Sequence, residues 1–295
     1  MRQTSELSYR RRINQVVAYV NDHLGETLDG MQLADLAAMS RFHFHRVFAA
    51  MTGMTPSQYV QRSRLSAALD ALRTTSQPVS CIALDCGFDG GPGLAKAMRR
   101  ELGLSPSAAR KALTDPRLAM APVQAPPHHF RRKTMLTPTF RELPQQKTLC
   151  ATERGMVNNE MSAAAQKAFG RLIPAAQALG VLQRQLGCLG VCPDVPKGPN
   201  DPEMRFVAAF VFDGAAPAVG DSGLTIDAMP PGRFAVFRHV GPYTTLWQTW
   251  QAVYRDWVPR SGIALRDAPP YERYENDPTQ VPPEQLITDI YVPIA

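Results

Sequence analysis

Two five-residue stretches fifty positions apart, Gly53-Met54-Thr55-Pro56-Ser57 and Gly103-Leu104-Ser105-Pro106-Ser107, constrain the first third of the chain more than anything else in it. Each has the chemistry of one helix ending and the next beginning. Glycine closes the first helix in the left-handed region, and Thr or Ser caps the second. Proline takes the first helical position, where its missing N–H costs nothing. Upstream, Leu33-Ala34-Asp35-Leu36-Ala37-Ala38-Met39-Ser40 is echoed by Ile82-Ala83-Leu84-Asp85-Cys86-Gly87-Phe88-Asp89. Residues 57–75 between the copies read as one long helix. The pattern predicts two helix-turn-helix pairs held apart by a strut. In the first pair the helices lie at about 31–38 and 41–52, with a turn near 38–40 and Ser40 as N-cap.

The helix at 41–52 segregates cleanly on a 3.6-residue wheel. Phe44, Val47, Phe48 and Met51 share a core-facing side, and Phe42, His45, Arg46 and Ala49 lie opposite. Outward Arg and His suit a major groove. Charge agrees with this: residues 1–134 hold 18 Lys/Arg against 10 Asp/Glu, and residues 135–295 hold 14 against 16. A basic half beside a near-neutral half predicts a polyanion partner for the first and a different task for the second.

This arrangement resembles the DNA-binding domain of AraC-type transcription regulators, over residues 8–112. The resemblance implies that the second helix of each pair enters the major groove of double-stranded DNA. Phe42, His45 and Arg46 then become the base readers, with Arg41 and His43 near enough to reach phosphate. In the second pair the reading positions fall on Gly91, Pro92 and Gly93, none of which has a side-chain donor. Lys96, Arg99 and Arg100 remain, and they suit phosphates. Sequence is therefore expected to be read by the first pair and anchored by the second.

Residues 113–136 contain four prolines and no periodicity, and read as a linker in which His128 and His129 are solvated. The C-terminal part, 137–295, reads as α+β. Strand-forming 148–156 leads to a helix at about 160–179, and 232–242 leads to a helix at about 243–258. A Pro-rich loop and an alternating strand follow each helix. The expectation is a duplicated strand-helix-strand-strand unit enclosing a concave groove. Tyr243, Leu246, Trp247, Trp250, Val253, Tyr254 and Trp257 fall on one arc of the second helix. Strand alternation over 271–275 puts Glu272 and Tyr274 on one face and Tyr271, Arg273 and Glu275 on the other.

The stretches Phe234-Ala235-Val236-Phe237-Arg238-His239-Val240-Gly241-Pro242-Tyr243 and Tyr271-Glu272-Arg273-Tyr274-Glu275-Asn276-Asp277-Pro278 resemble the GyrI-like effector-binding domain of multidrug-sensing regulators. The resemblance implies that Glu272 is the functional carboxylate, with Tyr243, Trp247, Tyr254 and Tyr274 as pocket walls. Phe210 and Phe212, on one face of an inner strand, are further candidates. The expected protein is a cytoplasmic, ligand-responsive transcription regulator. Its partners are DNA, RNA polymerase and a small, largely apolar effector whose positive charge Glu272 would favour. Two alternatives stay open for the tail: a Glu272/Tyr274-dependent hydrolase, and a protein-binding module of the kind that engages topoisomerase. No cofactor, metal or membrane association is expected. No run of eighteen apolar residues exists, and the start of the chain has no apolar signal core. The five cysteines suggest reduced thiols rather than a disulfide framework. His239 reads as structural.

Overall fold

Among the described residues, seven helices build the N-terminal half: α1 (Arg2–Asp22), α2 (Gly30–Leu36), α3 (Arg41–Thr52), α4 (Pro56–Thr74), α5 (Val79–Asp85), α6 (Gly91–Leu102) and α7 (Pro106–Thr114). The computed structural model describes residues 2–114, 136–158, 160–196 and 200–295. The expected linker, with His128 and His129, lies almost wholly outside these. Thr55 forms a full capping box with Gln58 at the start of α4, and Ser105 Oγ accepts from the Ala108 N–H at the start of α7. Ser40 takes the N-cap position of α3, but its hydroxyl makes no capping hydrogen bond.

The strut α4 touches two cores. Its Tyr59 and Val60 pack against the first, which holds Ile13, Val16 and Val20 of α1 with Leu33, Phe44, Val47 and Phe48. Its Leu65, Ala68 and Leu72 belong to the second, with Ile82, Leu94 and Met98. Each large side chain so buried contributes about 1.5–3 kcal/mol. The two helix-turn-helix pairs are thus held at a set spacing by a helix whose two ends are buried in different clusters.

Both turns close by the same device. The Phe88 N–H bonds to Ala83 O at 2.8 Å and the Gly87 N–H to Leu84 O at 2.9 Å. The Met39 N–H bonds to Ala34 O at 3.0 Å and the Ala38 N–H to Asp35 O at 2.8 Å. This is the Schellman pattern, which puts Gly87 (φ 76°) and Ala38 (φ 48°) in the left-handed region. Alanine is strained there. Replacing Ala38 with Gly is expected to stabilise the domain by about 0.5–1 kcal/mol, even after the entropy that glycine adds to the unfolded chain. Denaturant unfolding of the full chain checks it, and a destabilised variant would contradict it.

The C-terminal half is one eight-stranded antiparallel sheet in the order β1-β6-β8-β7-β3-β4-β2-β5. Its strands are β1 (Thr139–Leu143), β2 (Gln146–Arg154), β3 (Gln185–Val191), β4 (Arg205–Phe212), β5 (Thr225–Met229), β6 (Gly232–Val240), β7 (Tyr271–Tyr274) and β8 (Ile287–Ile294). Helix α8 (Ser162–Ala178) lies on one face through Ala164, Ala168, Leu172 and Ala176, a four-residue spacing of mostly small side chains that lets it sit close to the strands. The second helix is not one regular rod. A 3₁₀ turn at Tyr243–Thr245 leads into α9 (Leu246–Ala252), a π turn at Val253–Trp257 and α10 (Val258–Ser261). The π turn widens the helix by one residue, and π turns often mark functional sites. The aromatic arc expected on one face is therefore split. Val253, Tyr254 and Trp257 are core, whereas Trp247 is 54% exposed and Tyr243 41% exposed.

Candidate functional site

Glu272, on β7, sits between α8 and α9 with both carboxylate oxygens engaged. Oε1 accepts from the Trp250 indole N–H at 2.7 Å, and Oε2 accepts from the Tyr274 hydroxyl at 2.7 Å. Neither donor is a cation, and no Lys or Arg among the described residues lies within ion-pair distance of the carboxylate. Rings surround Tyr274: Phe169 of α8 at 5.7 Å and Tyr243 at 5.4 Å, both edge-on, with Phe206 at 6.1 Å from Phe169. Across the sheet, Glu272 pairs with Gly190, and Gly190 with Ala208. A Cβ at Gly190 would run into the Tyr274 hydroxyl and lie 2.9 Å from Phe206 Cζ. The missing side chain at 190 is what lets both rings approach the sheet there. Burial holds the Tyr274 phenol well above its usual range and pushes Tyr243 up to about 12. Both are neutral donors at physiological pH.

The second recognition helix, α6, is open. Lys96, Arg99 and Arg100 are exposed, with Arg100 also paired to Glu101 at 2.8 Å. Its N-cap, Gly90, has φ 80° and ψ −174°, a region only glycine enters easily.

One side of α3, the second helix of the first pair, meets the C-terminal half. His43, only 2% exposed, bridges to the C-terminal half: Nε2 donates to the Arg266 carbonyl at 2.9 Å, so Nδ1 accepts from the Tyr254 hydroxyl at 3.0 Å. The Arg46 guanidinium lies over the Trp250 ring at 4.1 Å from its centroid and 5.9 Å from that of Tyr254. His45 Nε2 is buried with no hydrogen-bond partner. The first core continues across this contact into Val253, Tyr254, Trp257 and Ile290.

Comparison with known proteins supports both halves. Residues 33–112 match the profile of a helix-turn-helix domain, and residues 136–295 match that of the GyrI-like small molecule binding domain. The second match spans more than half of the chain. The chain belongs to the GyrI-like family. Its N-terminal domain is of the AraC type. That domain is 36% identical over 100 residues to the transcriptional activator RhaS of Escherichia fergusonii, covering 34% of this chain and 36% of RhaS. The chain thus spans about a third of that relative's length. It is 39% identical to the DNA-binding domain of AdpA in a crystal structure with target DNA, covering 34% of this chain and 90% of that one, with a TM-score of 0.33. The GyrI-like domain is 15% identical to the crystal structure of the EcmrR C-terminal domain, covering 55% of this chain and 99% of that one, with a TM-score of 0.42.

Within the GyrI-like domain, Tyr274 touches both Glu272 and Tyr243. Phe210 lies in the cross-strand row of Tyr274, two strands away, and packs with Phe212 in the core beneath α8. Tyr254 faces α3 rather than the carboxylate. The wall residues that sequence reasoning missed are Trp250, Phe169, Phe206 and Gly190. Trp250 was visible as part of the aromatic arc, but nothing local marked it as the donor to Glu272. The outward reach expected for α3 is corrected for two residues: His43 and Arg46 meet the GyrI-like domain. A wheel shows which face leaves the local core, not what covers it next. His239 is 8% exposed and its Nδ1 lies 2.8 Å from Thr249 Oγ1, tying β6 to α9. The thiols of Cys188 and Cys192 are pushed up to about 12 by burial, and no cluster of three or more metal-ligating residues exists among the described residues.

Burial lowers His43 to about 4, aided by the Arg46 charge and opposed by the Arg266 carbonyl and Asp267. The ordinary value is 6.5. Between pH 6.5 and 4 the unfolded chain takes up a proton that the native ring refuses, so stability falls as the pH falls through that window. The contribution is on the order of 2 kcal/mol between pH 7 and 5. The melting-temperature gap between the wild type and His43→Asn should shrink over that range. A gap that stays constant would contradict the assignment.

Proposed function

We propose that the chain is a transcription regulator that binds DNA through its AraC-type domain and a small lipophilic cation through its GyrI-like domain. The single observation that carries the effector reading is Glu272: a carboxylate held by two neutral donors, beside aromatic side chains, with no Lys or Arg among the described residues within ion-pair distance. An effector's positive charge would gain both the carboxylate and the ring faces, each face contributing about 0.5–2 kcal/mol. We read the domain as two strand-helix-strand-strand units, β2-α8-β3-β4 and β6-α9-β7-β8. In support, the sheet order is symmetric about the β7–β3 seam. Tryptophan fluorescence titrated with tetraphenylphosphonium tests the site, since Trp250 is one of its walls. Saturable quenching is expected, and no response would contradict it.

The hydrolase alternative gains one observation, the 2.7 Å contact of Tyr274 with Glu272. The phenol is held protonated by burial, however, and the carboxylate is occupied by two donors. We therefore assign the pair to binding.

On DNA, Phe42, His45 and Arg46 of a released α3 would read bases while Arg41 and His43 reach phosphate. Lys96, Arg99 and Arg100 of α6 would anchor to phosphates, because the first turn of α6 offers only Gly91, Pro92 and Gly93. Sites selected from a random duplex pool should carry most of their sequence information in one half. Lys96→Ala should weaken binding evenly across sequences and reduce the salt slope by about one. Equal information in both half-sites would overturn the asymmetry.

A further inference from the structure

Trp250 serves two charges at once. Its indole N–H holds Glu272, and its ring face carries the guanidinium of Arg46, which belongs to the recognition helix of the other domain. Arg46 has no carboxylate within ion-pair distance among the described residues, so the Trp250 face is its principal partner. Both charges act on the same buried thiol, Cys192, which Arg46 lowers and Glu272 raises. A cation seated at Glu272 would meet the same indole that Arg46 now covers.

We infer that Arg46 is the groove's internal occupant, and that a cationic effector displaces it from Trp250 and so frees α3 to read DNA. The inference rests on the reading of the groove as a cation site. In the docked form α3 cannot enter a major groove, because His43 and Arg46 are held against the GyrI-like domain. Helix α6 stays exposed, and its contacts are of the phosphate kind. The docked protein then binds duplexes without regard to sequence, and the effector adds base reading rather than binding as such. Coupling through a shared residue is reciprocal: whatever draws Arg46 away with DNA should favour effector to the same extent.

The test uses the full chain and two readouts, tetraphenylphosphonium affinity by tryptophan fluorescence and duplex affinity by anisotropy. Arg46→Ala removes the internal occupant without touching the groove. It should bind the probe about tenfold more tightly than wild type. Unchanged or weaker probe binding by a folded Arg46→Ala overturns the inference. Tyr254→Phe provides a second variant that leaves every DNA-facing residue intact. By removing the hydroxyl that holds His43, it should raise probe-free affinity for the selected duplex about fivefold, and no rise counts against release of α3. In the wild type the probe should strengthen binding to the selected duplex and not to a random one, and equal effects on both would also overturn it. Failure of the cation site itself looks different: wild type and Glu272→Gln would then bind the probe alike.

Discussion

Glu272→Gln is expected to weaken binding of a lipophilic cation 30- to 100-fold while leaving the fold intact. A charge pair near 4 Å at a partly buried site is worth about 2–4 kcal/mol, and most of that is lost when the carboxylate becomes an amide. The shape is kept. Gln can turn its carbonyl toward the Trp250 N–H, which can only donate, and its amide toward the Tyr274 oxygen, which can accept. The two hydrogen bonds at 2.7 Å thus have neutral counterparts, so lost affinity would report charge rather than collapse. Isothermal titration with tetraphenylphosphonium, alongside a melting curve for each protein, separates the two. A variant that melts normally and binds as well as wild type would mean the carboxylate takes no part.

Gly87→Ala should destabilise the N-terminal domain by on the order of 3 kcal/mol. The left-handed conformation alone costs a side chain about 1–2 kcal/mol. Space is the larger problem. A Cβ there meets the Leu24 carbonyl oxygen and lies 2.7 Å from the Arg64 Cζ. Arg64 donates to the Leu24 carbonyl at 2.9 Å and to that of Glu26 at 2.6 Å, which ties the strut to the loop after α1. Moving the guanidinium gives up the partly buried charged hydrogen bond to Leu24, worth about 1.5–3 kcal/mol, and the exposed one to Glu26. Chemical denaturation followed by helical circular dichroism measures it. An unchanged midpoint would show that Arg64 can move aside freely.

The two glycine substitutions point in opposite directions from one motif, since Ala38 and Gly87 occupy the same step of the two repeats. That correspondence is legible in the sequence because a Schellman turn asks for a particular residue at a particular offset. The difference between the repeats is legible as well. The upstream echo is offset by 49 positions and the downstream echo by 50. The extra residue is Gly90, in a conformation that favours glycine, so much of the glycine run before α6 serves the turn. Gly91 and Gly93 meet only ordinary contacts, so no crowding requires their bareness. It stands as a property of the helix surface.

The groove is half legible. Period-two alternation on β7 puts Glu272 and Tyr274 on one face, Tyr243 belongs to the aromatic arc, and the resemblance to the GyrI-like domain marks all three. Phe206 and Gly190 converge through strand register and Phe169 through the packing of α8 on the sheet, neither of which a local pattern encodes. The edge strands β1 and β5 have mostly exposed side chains and no apolar alternation to reveal them. Least legible is the cover over α3. Its outward His and Arg fit a DNA groove and an aromatic protein wall equally well, and the choice depends on contacts more than two hundred residues apart, such as His43 with Tyr254.

The central claim is that the groove selects charge through Glu272, not merely greasy shape. The most direct measurement compares tetraphenylphosphonium with triphenylphosphine oxide, an uncharged aromatic of similar kind, by calorimetric titration of the wild-type chain. The account expects one cation per chain, bound at least 30-fold more tightly than the neutral compound. Equal affinities for the two would contradict it.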